Sequence, residues 1–102
     1  AGMAEAHYAQ IAPHLYCGPI EGAANAQLAT CTPNFLILES IYQWGGFHAE
    51  VLKSPMRWEE GFVIPSDAPG LGVELDEDVA RAHPYEDTAL HLEMAPDPVD
   101  FG

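Results

Sequence analysis

An α/β fold built on parallel strands is what this 102-residue sequence predicts, and three observations predict it. Residues 11–40 read as strand, turn, helix, strand. Phe35–Leu38 is a continuous apolar run, as needed by a strand covered on both faces by helices in a parallel sheet. Both strand candidates close on a polar residue, His14 for the first and Glu39 for the second. Two consecutive parallel strands joined by a helix form a βαβ unit. In that unit His14 and Glu39 lie at the same, C-terminal edge, where open α/β sheets and α/β barrels carry their chemistry.

The elements follow in order. Gly2–Gln10 has helical spacing, with Met3, Ala6 and Ile11 near one face. No Ser, Thr, Asp or Asn precedes it as a cap, and the chain does not begin with Met. The expectation is therefore a fragment, or one piece of a split chain. Ile11–Pro13 is short and extended. Pro19 suits a first helical position, where its fixed φ is already helical and its missing N–H goes unused. Ile20, Ala23, Ala24, Leu28 and Cys31 recur at helical spacing and form one apolar stripe. Cys31 on that stripe reads as packing. Pro33 and Asn34 break the helix before the second strand.

Beyond Glu39, Gly45–Gly46 is a flexible break, and Phe47–Lys53 has room for two helical turns before Pro55. Met56–Trp58 and Phe62–Ile64 flank Glu59-Glu60-Gly61 as a hairpin, with Gly61 supplying a positive φ. Residues 65–72 are a loop by composition. Asp76 caps a short helix through Ala82, which Pro84 ends. The remainder is mostly polar, with His91-Leu92-Glu93-Met94 as one short strand and a tail after it.

Composition narrows the function. The length allows one small domain, and 48% hydrophobic residues place it with globular chains. No apolar run approaches the roughly 20 residues of a membrane span, and the first ten residues lack the basic and apolar regions of a signal peptide. Lys53, Arg57 and Arg81 face sixteen carboxylates, for a net charge of −13. That balance argues against nucleic acid and against an anionic membrane. Twelve of the carboxylates follow residue 55, and a solvated surface is the plain reading of them. Cys17 and Cys31 form no CxxC and too few pairs for a disulfide scaffold, which suits a reducing, cytoplasmic setting. Two strands and three short helices close no core by themselves, so a larger partner, covalent or not, is expected to complete them.

The order of pieces resembles the enolase superfamily, mandelate racemase-like group, and within it the acid-sugar dehydratases of the galactonate and mannonate type. The similar pieces are Pro13-His14, Gly18-Pro19-Ile20, the Ala-rich helix, Pro33-Asn34-Phe35 and Glu39. Glu60-Gly61, Val63-Ile64-Pro65 and Pro69-Gly70-Leu71-Gly72-Val73-Glu74-Leu75 follow. Together they span about residues 3–85. The resemblance implies the last βαβ portion of a (β/α) TIM-like barrel plus a C-terminal extension reaching an α+β capping domain. It puts the seventh and eighth strands and their helices in residues 1–43 and the extension in 44–102. It implies Mg²⁺ held by carboxylates on strands outside this segment, a small sugar acid as substrate, a homo-oligomer, and no metal ligand here.

The reaction implied removes the proton α to a carboxylate and forms an enediolate, whose negative oxygens Mg²⁺ stabilises. A dehydratase must also protonate the departing β-hydroxyl. Histidine, with its near-neutral pKa, suits both steps. The resemblance assigns that role to His14. It sets Glu39 beside the substrate carboxylate, where neighbouring negative charge would raise its pKa and let it donate to the oxyanion. Tyr16 and Trp44 are candidates to line the substrate pocket, with core or lid packing the plainer role for each. His14 and Cys17 have HxxC spacing, but two ligands without a second pair fall short of a zinc site. His7, His48, His83 and His91 read as structural, and Asp76-Glu77-Asp78 as a helix start in which carboxylates meet the positive end of the dipole. Within the family the alternative is a racemase or epimerase with His14 on one face of the α-carbon. Outside it, the alternative is an acidic, non-catalytic interaction module.

Overall fold

The register of the molecule is set by one parallel bridge between Ile11 and Phe35. Ile11 N–H donates to the Asn34 carbonyl at 2.8 Å, and Leu36 N–H donates to the Ile11 carbonyl at 2.9 Å. The structure, a computed structural model, describes residues 1–40 and 44–86. The elements are α1 (Gly2–Glu5), α2 (Pro19–Cys31), α3 (Phe47–Glu50), β1 (Arg57–Glu59), β2 (Phe62–Ile64) and α4 (Glu77–Ala82). The short strand expected at His91–Met94 and the tail lie outside the described residues.

The parallel crossover expected from the sequence is present, but its two strands pair only at this bridge. Leu36 and Ile37 remain 60% and 61% exposed. Among the described residues no second ladder flanks either segment, so the apolar run that reads as a doubly covered strand has an open face there.

The helix expected over Gly2–Gln10 ends early. Tyr8 adopts φ 57°, its N–H donates to the Glu5 carbonyl, and Ala9 N–H reaches the Ala4 carbonyl at 2.9 Å. This is a Schellman-type stop. Glycine normally occupies that left-handed position, so Tyr8 carries no sequence signal for it. Asn34 then ties the region down, its amide donating to the Ala9 carbonyl at 2.8 Å and the Ala1 carbonyl at 3.2 Å.

Helix α2 starts on Gly18 with Pro19 at its first turn. It closes with Thr32 Oγ1 donating to the Leu28 carbonyl and Thr30 Oγ1 to the Ala26 carbonyl. Its buried residues are Pro19, Gly22, Ala23 and Ala26. Ile20, Leu28 and Cys31 are exposed. Of the stripe expected to pack, Ala23 is buried and Ala24 half-buried, whereas its bulkier members Ile20, Leu28 and Cys31 face outward, and the packing role read for Cys31 is corrected. The small residues are what let an aromatic ring approach the other face.

The second half packs on α2. Trp44, Val51 and Leu52 join Leu15, Ala23 and Ala26 as the buried apolar residues. Gly46, at φ 56°, starts α3. That helix is shorter than the two turns expected, because Leu52 leaves it to bridge Leu75 antiparallel. Lys53 N–H donates to the Glu74 carbonyl, and Asp76 N–H to the Val51 carbonyl, each at 2.9 Å. Strands β1 and β2 form the hairpin with Arg57 opposite Ile64, Trp58 opposite Val63 and Glu59 opposite Phe62. Glu59 thus belongs to the ladder, and the turn is only Glu60-Gly61. Their φ values of 49° and 85° are those of a type I′ turn. Asp76 caps α4, accepting from Asp78 and Val79 N–H at 3.1 Å, so the acidic run is a helix start.

Candidate active site

His14 lies three residues past Ile11 and Glu39 four past Phe35, so the parallel bridge carries both to one end of the unit. There His14 Nδ1 stands 2.7 Å from Glu39 Oε2. The same oxygen accepts from Leu15 N–H at 2.9 Å. Leu15 is fully buried, which anchors the turn just after His14. From α2, the Asn25 side-chain amide donates to the His14 carbonyl at 3.2 Å. The His14 ring is 78% exposed and the Glu39 carboxylate 50%. The pair is held by backbone on the inside and open on the outside.

Glu39 has a pKa below the ordinary carboxylate value. The chief cause is the Leu15 N–H, which donates to the charged form. The charge and hydrogen bond of His14 act in the same direction, and partial desolvation opposes them. The rise expected for Glu39 belongs to a site holding a substrate carboxylate, whereas these contacts act in the chain alone. Sequence reasoning missed Leu15 and Asn25. A faint signal for each existed: an apolar residue directly after the strand-end His, and an amide side chain in a helix otherwise rich in Ala.

The other candidates separate. Tyr16 keeps nearly half of its surface exposed, two residues beyond His14. Trp44 is 4% exposed and lies in the core, its ring meeting Trp58 edge-on at 5.1 Å. Within this chain it supports the fold and has almost no surface to offer a ligand. The Cys17 thiol is pushed up in pKa, first by its hydrogen bond with Glu21, which disfavours the thiolate a metal would need. Among the described residues no group of three or more His, Cys, Asp or Glu side chains could hold a metal ion. Among the other histidines, His83 Nδ1–H donates to the Val79 carbonyl at 2.9 Å, and its ring packs 4.7 Å from Phe47. Each of the three cations is engaged by carboxylate: Lys53 by Glu74, Arg57 by Glu59, and Arg81 by Glu77 and Asp78. No helix of the described residues is long and apolar enough to cross a membrane.

Residues 1–79 match the family model for enolase C-terminal domain-like proteins. A D-galactonate dehydratase family member from Streptomyces bingchenggensis is 35% identical over 94 residues, which is 90% of this chain and 23% of that protein. D-gluconate dehydratase from Thermoproteus tenax is 33% identical over 84% of this chain and 18% of its own length. A Burkholderia SAR-1 crystal structure, named for the mandelate racemase/muconate lactonizing enzymes, is 66% identical and superposes with a TM-score of 0.82. It covers 97% of this chain, which spans 25% of that one.

Proposed function

The chain belongs to the enolase C-terminal domain-like family, and from that membership we propose that it supplies the His14–Glu39 edge of an acid-sugar dehydratase. The contact that carries the reading is His14 Nδ1 to Glu39 Oε2, 2.7 Å, at the ends of two segments bridged in parallel. Relatives named galactonate, gluconate and xylonate dehydratases support the reaction class. The substrate is an aldonate, and the product a 2-keto-3-deoxy acid.

His14 does the proton work. Its neutral imidazole takes the proton α to the carboxylate, and the resulting imidazolium returns a proton to the β-hydroxyl, which leaves as water. No net proton is gained or lost, and the enol product tautomerises to the ketone. The exposed ring gives substrate direct access to it. The half-exposed Tyr16 forms a wall beside it. Mg²⁺ is the proposed cofactor, and when bound it supplies positive charge where the substrate's oxygens gain negative charge. The proposal puts its ligands on the rest of the barrel, outside this segment. No step assigned to His14 runs through the metal. The remaining barrel and capping domain, a second copy of the assembled protein, and a cytoplasmic setting complete the proposal.

A racemase or epimerase is the second reading, favoured by solved relatives named for mandelate racemase. The experiment is incubation of the protein carrying this chain with Mg²⁺ and galactonate, gluconate and xylonate. A 2-keto-3-deoxy product supports the dehydratase. An inverted α-centre with no loss of water supports the racemase, and neither outcome with any of the three acids counts against both.

A further inference from the structure

The geometry points to a second small-molecule site, away from the His14–Glu39 edge, that takes a neutral polyhydroxylated ligand, a sugar or a sugar alcohol. It is a cavity of about 320 Å³ shared by α2, the start of β1 and the loop over residues 65–72. That volume is at the lower end of small-molecule pockets. The loop is fixed before any ligand arrives. The Gln27 amide donates to the Ser66 carbonyl at 3.2 Å and ties the loop to α2. Ala68 N–H donates to Ser66 Oγ at 3.1 Å. Gly72, at φ 75°, lies so close that a Cβ there would stand 2.5 Å from Ser66 Cβ. A site already ordered in this way costs little to fill.

Five polar side chains line the cavity, and each has hydrogen-bonding capacity left over. Arg57 meets Glu59 through Nε, which leaves both terminal NH2 groups to donate. The Ser66 hydroxyl accepts from Ala68 and keeps its own proton to give, and Ser54 supplies a second hydroxyl. Gln27 keeps Oε1 to accept, and among the described residues Asp67 has no cation on its carboxylate. Donors and acceptors therefore share one small space. A hydroxyl does both and carries no charge, so a ligand with several of them satisfies both kinds. Asp67 and the net charge of −13 disfavour an anion, and Arg57 disfavours a cation. Ala26 and Met56 give the lining an apolar part that suits the C–H face of a sugar.

The site is independent of the dehydratase reading, and its test is run without Mg²⁺ so that turnover plays no part. The protein carrying this chain is labelled with ¹³C at its methionine methyl groups, and Met56→Leu assigns the Met56 signal. Galactitol and D-galactose are titrated in, with galactonate as the charged counterpart. One or both neutral probes should shift the Met56 methyl saturably, and galactonate should bind more weakly than they do. Arg57→Ala and Asp67→Asn should each raise the dissociation constant about tenfold or more, the loss expected for one hydrogen bond to a charged group. Both residues are exposed, so the fold should hold; should Arg57→Ala not fold, Asp67→Asn alone decides. No shift, or only a linear drift, with both neutral probes overturns the site. A saturable shift whose midpoint is unchanged in the folded variants also overturns it, because the ligand then sits elsewhere. Galactonate binding tighter than both neutral probes overturns the class of ligand.

Discussion

The Trp44 indole fills the space that a side chain on Gly22 would need: a Cβ built there stands 2.1 Å from Trp44 Cη2 and 2.5 Å from Cζ2. Gly22 is thus the point on α2 where the second half of the chain docks on the first. Trp58 of the hairpin meets the same indole edge-on, so α2, Trp44 and β1 form one stack. This contact is remote in sequence, and it explains why a helix bearing a glycine in its interior is retained despite the cost of about 1 kcal/mol that glycine carries there.

Gly22→Ala is expected to destabilise the fold by about 1–3 kcal/mol, the range for overpacking a filled site, despite the better helix propensity of Ala. Thermal unfolding followed by tryptophan fluorescence reads it. Trp44→Leu in the same background should recover part of the loss, because the two sites share one contact. A Gly22→Ala protein as stable as wild type would refute close packing of the Trp44 indole on Gly22.

His14→Asn is expected to lower turnover by at least the roughly 10²–10⁴-fold typical of losing a general acid or base. The unfolding midpoint should hardly move, since the ring is largely exposed. Exchange of the α-proton with solvent deuterium separates its two duties. Exchange that survives while elimination stops leaves His14 as the acid for the departing hydroxyl only. Wild-type dehydration in the mutant removes His14 from the reaction.

Glu39 links the site to acid stability. Its pKa in the folded state is depressed, chiefly by the Leu15 amide. A depressed carboxylate stabilises the fold above its unfolded value, about 4.3, and that contribution is lost as pH falls through the lower folded value. Wild type should therefore be more stable than Glu39→Gln at pH 6. The gap should narrow below about pH 4.3 and close in stronger acid. Denaturant unfolding at stepped pH measures it, and a gap independent of pH would refute the ionic part of the contact.

The hairpin offers an independent check. Glu60 occupies a left-handed position, φ 49°, that favours Asn or Gly. Glu60→Asn should stabilise the protein by about 0.5–1 kcal/mol, by placing Asn-Gly in a type I′ turn. Loss of stability in that variant would contradict the turn type.

The crossover and its punctuation were legible from local residues alone. Pro19 and Pro33 bound α2 as expected, Asp76 caps α4, and Gly61 makes the hairpin turn. These features are governed by neighbours within a few residues, through fixed proline φ, side-chain capping and the freedom of glycine at positive φ. The strand-end positions of His14 and Glu39 were legible for the same reason, because each closes its own apolar segment. Which surfaces meet was settled by contacts between residues remote along the chain. The stripe through Ile20, Leu28 and Cys31 has proper helical spacing, yet the face with small residues is buried, because Trp44 needs that depth over Gly22. Tyr8 ends α1 without the glycine that would have announced it. Leu15 holds Glu39 across 24 residues, through a backbone amide that no residue type advertises. Periodicity reports that a helix has an apolar side. Which side is covered, and which amide a carboxylate finds, depends on the register of the Ile11–Phe35 bridge, where the two partners are far apart along the chain.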